Sequence, residues 1–84
     1  MKFTTVQLRE LRLGDIEATG NRLARAMQLA ELTQAQLAES LNLTQPYVSD
    51  VARGRHATIT VENAHKFASY FGVSIEDLFP SRAA

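Results

Sequence analysis

The side chains most often used for catalysis and metal binding are sparse in this sequence of 84 residues. There is no cysteine, and the two histidines, His56 and His65, stand nine positions apart. The sequence also contains no glycine-rich phosphate loop and no nucleophile motif. We therefore expect no enzymatic activity, no metal and no cofactor, and we interpret both histidines as surface or interface residues.

The composition predicts one soluble domain. A hydrophobic content of 45% is enough for a single modest core, and the net charge is zero. Zero net charge argues against a polybasic arm or a membrane-surface peptide, but not against a small basic patch on one face. No apolar run approaches the ~20 residues that a bilayer span needs, and Gln7, Arg9 and Glu10 interrupt any secretory stretch. We expect a cytoplasmic protein with no membrane contact.

Residues that start and stop helices recur along the chain and predict an all-α fold. Capping residues open the segments that begin at Thr4, Asp15, Thr33, Thr44, Thr60 and Ser74. Because the loops between them are short, the helices must share one core. We predict a compact five-helix bundle over residues 15–80, preceded by a short helical N-terminal extension over residues 1–14 and followed by a frayed tail at 81–84.

Each predicted helix carries an apolar row that marks its inward face. The helix predicted from Asp15 to about Ala30 has the row Ile16, Leu23, Met27 and Ala30, with Gly20 weakening its first turns. The helix after Thr60 has the row Val61, Ala64, Phe67, Ala68 and Phe71. These rows are the predicted core.

Residues 33–54 have the pattern of two short helices that cross steeply around a tight turn. Ala38 provides the small residue that such a crossing needs, and Asn42 tolerates the left-handed backbone of the turn. Pro46 is tolerated in the first turn of the second helix, because its missing amide would have no intrahelical acceptor. The residues predicted to point into the common core are Leu37, Leu41, Leu43, Val48 and Val51.

The stretch from about Asn21 to Phe79 resembles the Cro/cI-type (Xre-family) helix-turn-helix domain of bacteria and phages. The residues that carry the resemblance are Arg22, the run L-T-Q-x-x-L-A at 32–38, Val48-Ser49, Arg53-Gly54 and the ending G-V-S-x-x-x-L-F at 72–79. A weaker resemblance links 47–49, 53–54 and 60–63 to the controller proteins of restriction–modification systems. Two departures concern Met27 and Ala52, which replace a buried Arg–Glu pair of many family members, and the loop 55–59, which lacks the family's proline.

The resemblance implies that helix 45–53 lies in the major groove with its first residues at base edges. By position, the base-reading residues are then Gln45, Pro46, Tyr47, Ser49 and Asp50. The carboxamide of Gln45 can bond N7 and N6 of adenine in one plane. Asp50 can accept from cytosine N4 or instead hold Arg53 one turn away, and Tyr47 can contact a thymine methyl or lie over the core edge.

Phosphate contacts are expected from Gln34, because the start of a helix presents amides to an anion. The further phosphate candidates are Thr44, Arg53, Arg55, Asn63 and Lys66.

Together these features predict a sequence-specific DNA-binding transcriptional regulator that acts as a homodimer on a roughly palindromic operator. One module of this size touches few base pairs, so two copies are needed for useful affinity. The resemblance suggests a dimer interface of Tyr70, Leu78 and Phe79, with the last two expected to be exposed. The N-terminal segment with Val6, Leu8, Leu11 and Leu13 is a second candidate.

An alternative is a protein-interaction module, such as an antitoxin-like or adaptor protein whose main partner is a toxin or another protein. Zero net charge, Asp50 on the reading helix and the extra N-terminal segment favour this alternative. Gln34, Gln45, Arg53 and Arg55 favour DNA.

Overall fold

Six α-helices form the fold in the computed structural model, which describes residues 2–14, 20–55 and 59–80. Within these residues no strand occurs, so the predicted all-α class is confirmed. Helices α2 to α6 make up the predicted five-helix bundle, and α1 is the extra N-terminal helix. The bounds are α1 Thr5–Arg12, α2 Leu23–Leu29, α3 Gln34–Leu41, α4 Gln45–Ala52, α5 Val61–Phe71 and α6 Ile75–Leu78.

Five of the predicted helix starts are confirmed by hydrogen bonds at the helix ends. Reciprocal capping boxes join Thr4 to Gln7, Thr33 to Gln36 and Ser74 to Asp77. Single caps form where the hydroxyls of Thr44 and Thr60 accept from the backbone amides of Tyr47 and Asn63. Each cap satisfies amides that a helix cannot satisfy internally, so local sequence alone sets these boundaries.

The predicted continuous helix from Asp15 to about Ala30 is wrong, because residues 20–22 are not helical. Helix α2 begins at Leu23, and Gly20 before it has a φ of +77°, a left-handed conformation that a helix does not contain. The side chain of Asn21 then accepts a hydrogen bond from the amide of Leu23 at 2.9 Å. The predicted cap Asp15 and the predicted inward residue Ile16 lie outside the described residues, as do His56, most of the loop 55–59 and the tail 81–84.

The core lies between α2, α3, α4, α5 and α6, with α1 closing one side. Among the described residues, every predicted inward residue is buried in this core or packed against it, except Val61, which is exposed. Val61 is the first residue of α5 and precedes the turn at which α5 meets the core at Ala64. Met27 and Ala52 are both buried, which fits an apolar replacement for a buried ion pair.

The N-terminal segment packs firmly onto the bundle. Leu11 is fully buried. The amide of Phe3 donates to the carbonyl of Phe71 at 3.1 Å, and the two rings stack at 5.3 Å between centroids. The guanidinium of Arg12 donates to the Asp77 carboxylate at 2.9 Å. The segment therefore contributes to the stability of the bundle.

The predicted exposure of Leu78 and Phe79 is wrong, since only 0% and 4% of these residues are accessible. Helix α6 folds back over α5, and the Phe79 ring lies 6.1 Å from that of Phe67. The carbonyl of Leu78 accepts from the amide of Arg22 at 2.8 Å, which fixes α6 against the start of α2. Tyr70 is half-buried, with its ring edge-on to Phe71. Leu78 and Phe79 therefore belong to the core of the bundle, not to an exposed surface.

Asp77 connects three parts of the chain. Its carboxylate accepts from Arg12 of α1 and from both the amide and the hydroxyl of Ser74, while its carbonyl accepts from Arg22 at 3.2 Å. Burial raises the pKa of Asp77, but the hydrogen bonds from Arg12 and Ser74 lower it by more, so the pKa lies below its ordinary value of 3.8.

Replacing Asp77 with asparagine should cost about 1–2 kcal/mol of the free energy of unfolding at pH 7. A carboxylate whose pKa is lower in the folded state stabilises the protein above its ordinary pKa, and this contribution is lost as the pH falls through the folded value. The difference between wild type and Asp77→Asn should therefore shrink below about pH 4. Urea unfolding at pH 7 and pH 3 measures it, with Glu76→Gln on the exposed neighbour as control. An equal difference at both pH values would contradict this role.

Candidate nucleic-acid interface

The turn between α3 and α4 has the geometry that the sequence predicts. Asn42 adopts φ 57° and ψ 43°, the left-handed region, directly after α3. The amide of Leu43 then donates to the carbonyl of Ala38 at 2.9 Å. Ala38 is buried beneath the crossing, so the two helices approach closely.

Helix α4 is anchored by its inner face and leaves its outer face open. Val48 and Val51 are buried in the core, whereas Gln45 is exposed and Ser49 is half-buried. Pro46 is exposed in the first turn, where its missing amide hydrogen costs no hydrogen bond within the helix. Gln45, Pro46 and Ser49 therefore lie on the accessible side of a helix whose inner side is fixed in the core.

Tyr47 lies at the edge of the core, which is one of the two positions considered for it. It is half-buried against core residues, and its hydroxyl accepts from the side-chain amide of Asn63 at 2.9 Å. This bond joins the first turn of α4 to the first turn of α5. Two predicted DNA contacts thus form a link between helices, and their contact with DNA stays a prediction.

Asp50 does not hold Arg53 by an ion pair. In the described parts of the chain the ion pairs are Arg12–Asp77 and Arg25–Glu10. Asp50 instead uses its backbone carbonyl, which accepts from the amide of Arg55 at 2.9 Å. The half-buried side chain of Asp50 is thus not neutralised by Arg53.

The predicted phosphate-binding residues are spread over the start of α3, both ends of α4 and the first half of α5. Gln34 is the first residue of α3, whose first-turn amides have no acceptor within the helix. Arg53 caps the C-terminus of α4, and Arg55 follows the left-handed Gly54; both arginines are exposed. Lys66 is half-buried on α5. Thr44 caps α4, so its hydroxyl already accepts one hydrogen bond.

Asn21 is a positioning residue that the sequence reasoning missed. It is buried, and its side-chain amide donates to the carbonyl of Val51 at 2.9 Å. The carbonyl of Val51 also accepts from the amide of Gly54 at 3.0 Å, so Asn21 adds a second hydrogen bond at the end of α4 and ties that helix to the start of α2. Thirty residues separate the two groups, and no local pattern signals such a bond.

A comparison with protein-family models matches residues 23–78 to a family described as helix-turn-helix. The match spans α2 to α6 and covers more than half of the chain. The chain belongs to the Cro/cI-type helix-turn-helix family. Membership makes α3 and α4 the two helices of the motif, in a DNA-binding domain of the type found in transcription regulators. Helix α1 precedes the matched residues. Searches of curated proteins and of solved structures gave no match.

Two features that other functions would need are absent from the described residues. No described helix of this helix-turn-helix domain is long and apolar enough to cross a membrane. The described residues also hold no group of three or more histidine, aspartate and glutamate side chains placed to bind a metal ion. His65 is exposed on α5, in line with its interpretation as a surface residue.

Proposed function

We propose that this chain is a sequence-specific transcriptional regulator that binds a roughly palindromic operator as a homodimer. The observation that carries the proposal is the placement of α4. Its inner residues are fixed in the core, its C-terminus is held by Asn21, and its N-terminal side chains remain accessible. A helix held in this way can dock into the major groove with no change in its position within the domain.

The accessible residues of α4 supply a distinct chemistry for base edges. Gln45 offers a donor and an acceptor in one plane, which suits adenine, and the Ser49 hydroxyl can bond to either class of edge. The carboxylate of Asp50 accepts from cytosine N4 and is repelled by phosphates. Such residues discriminate between bases more than they attract DNA.

Attraction to DNA has to come from few charges. The protein has zero net charge, so nonspecific affinity is low and Arg53, Arg55 and Lys66 are the main sources of phosphate neutralisation. Two protomers on adjacent half-sites double these contacts. The requirement for more phosphate contacts than one protomer supplies supports a homodimer and an operator with two-fold symmetry.

One observation favours the alternative of a protein-interaction module. Asp50 stands on the motif's second helix without an ion-pair partner in the described chain, and this places an uncompensated negative charge where DNA would approach. A toxin-like or other protein partner with basic residues would tolerate it.

Substitutions of Gln34 and Gln45 distinguish a contact that positions the protein on DNA from a contact that reads a base. Gln34→Ala should weaken binding by a similar factor on every operator variant, because a phosphate contact carries no sequence information. Gln45→Ala should cost about 1–3 kcal/mol on the preferred operator and little on an operator changed at the contacted base pair.

Affinities of both variants for a matrix of operator sequences test this contrast. The two substitutions remove the same uncharged group, so each variant is the matched control for the other. Circular dichroism confirms that both remain folded. Unchanged base preferences in Gln45→Ala would contradict the placement of α4 in the groove.

A further inference from the structure

Helix α1 carries apolar residues on two opposite faces. Leu11 and the half-buried Leu8 face the bundle. Val6 and Leu13 are 69% and 72% exposed, which makes them two of the three large apolar residues exposed in the described chain. They stand two helical turns apart, so they lie in line on the outward side.

A pair of opposite charges lies between these two apolar residues. Arg9 and Glu10 are both exposed and follow Val6 by three and four positions, so they lie on the same outward side. Arg9 has no ion-pair partner among the described residues, and Glu10 reaches only Arg25, at 3.4 Å. Along the outward side of α1 the side chains are therefore, in chain order, apolar, positive, negative and apolar. We call Val6, Arg9, Glu10 and Leu13 the α1 stripe.

The α1 stripe is complementary to itself when two copies meet antiparallel. A two-fold axis between residues 9 and 10 brings Val6 of one copy to Leu13 of the other. The same axis brings Arg9 to the second copy's Glu10, and Glu10 to the second copy's Arg9. A two-fold interface requires this reciprocity, in which each residue and its partner exchange roles.

We propose that the α1 stripe is the surface through which two copies of this chain associate. The proposal deepens the proposed function, because it rests on the homodimer suggested there and assigns its interface. A partner with charge of one sign would leave either Arg9 or Glu10 facing a like charge. Leu13 also borders a shallow groove with Leu8 and Arg9, and this groove can receive the second copy's Val6.

The size of the stripe predicts weak association without DNA. Helix α1 has eight residues and is about 12 Å long, so it covers less than the roughly 1,000 Å² of a stable interface. Adjacent half-sites hold two protomers at a high effective concentration, and a weak contact then produces cooperative binding. The proposed interface leaves Gln45 and Ser49 of α4 free for base contacts.

Charge reversal tests the pairing directly. Sedimentation equilibrium without DNA is run on wild type, Arg9→Glu, Glu10→Arg and the double variant. Each single reversal creates two like-charge contacts by symmetry and should weaken association about tenfold. The double variant restores both pairs with their signs exchanged and should return to within about threefold of wild type. Arg9 and Glu10 are both exposed, so the variants should remain folded.

An apolar substitution gives a second readout. Leu13→Asp should abolish association, whereas Val61→Asp, the same type of change at an exposed position on α5, should leave it unchanged. At about 1 mM protein even a weak dimer, with a Kd in the millimolar range, is partly formed. A wild type that is monomeric at this concentration would overturn the proposal. So would a double variant that stays as weak as the single reversals.

Binding to a single half-site distinguishes this proposal from the proposed function. If Leu13→Asp keeps half-site affinity and loses cooperativity on a two-site operator, both stand. If wild type binds half-sites specifically but never associates, the α1 interface fails and the DNA function stands. If charge reversal behaves as predicted but no DNA sequence is preferred, the interface stands and the proposed function fails.

Discussion

Phe79→Asp is expected to unfold the domain rather than to yield a folded monomer. Phe79 is 4% exposed, and its amide donates to the carbonyl of Ile75 at 2.7 Å, which holds its ring against Phe67. Removing a buried aromatic ring costs about 3–5 kcal/mol, and a buried unpaired carboxylate adds to this. The sum approaches the whole free energy of unfolding of a small domain, about 5–15 kcal/mol.

Circular dichroism and thermal unfolding measure this effect. Val61→Asp introduces the same charge at an exposed site and should leave the melting temperature nearly unchanged. Phe79→Leu keeps an apolar side chain and should remain folded at room temperature. A cooperatively folded Phe79→Asp would mean that α6 does not pack as described.

The second large effect is on the salt dependence of operator binding. With Arg53, Arg55 and Lys66 of both protomers on phosphates, about six counterions are released and log K falls against log salt with a slope near −5. Affinity should therefore fall ~1,000-fold between 50 and 200 mM salt. A uniformly basic surface is not needed, because the charges that matter are local.

Single substitutions assign the slope to particular residues. Arg55→Gln removes one contact per protomer and should reduce the magnitude of the slope by about 2. Lys2→Gln is the control, since Lys2 lies against Gly72 at the opposite end of α5 from Asn63. Fluorescence anisotropy over a salt series gives the values. A slope near zero would favour the protein-interaction alternative.

The helix starts were predictable from sequence wherever the deciding contact is local. The boxes at Thr4, Thr33 and Ser74 form between residues three positions apart, and the turn at Asn42 depends on the backbone of one residue. Such features are encoded in short segments, so a single sequence is enough to find them.

The errors concern residues whose environment is set by distant parts of the chain. Leu78 is the last residue of the short helix α6 and Phe79 follows it, and only the return of α6 over α5 buries them. Asn21 is buried, and its hydrogen-bond partner Val51 is thirty positions away in the sequence. Val61 fits an apolar period but lies at the first position of its helix, where the core is not yet reached. Tertiary contacts decide each of these cases.

The exposed face of the candidate DNA site was predictable from sequence, but the hydrogen bonds between its side chains were not. The pattern of buried Val48 and Val51 identifies the outer face of α4, and with it Gln45 and Ser49. The bond between Tyr47 and Asn63 joins two helices across sixteen positions, so the sequence could only leave the position of Tyr47 open.

Selection of bound sequences from a random DNA pool, by wild type and Gln45→Ala in parallel, tests the central claim that α4 reads the major groove. Wild type should enrich a two-fold symmetric sequence whose half-sites are centred about 10 base pairs apart. Gln45→Ala should enrich the same sequence with the preference lost at one base pair in each half-site. Enrichment of no sequence by the wild type, or of an unaltered sequence by the variant, would contradict the claim.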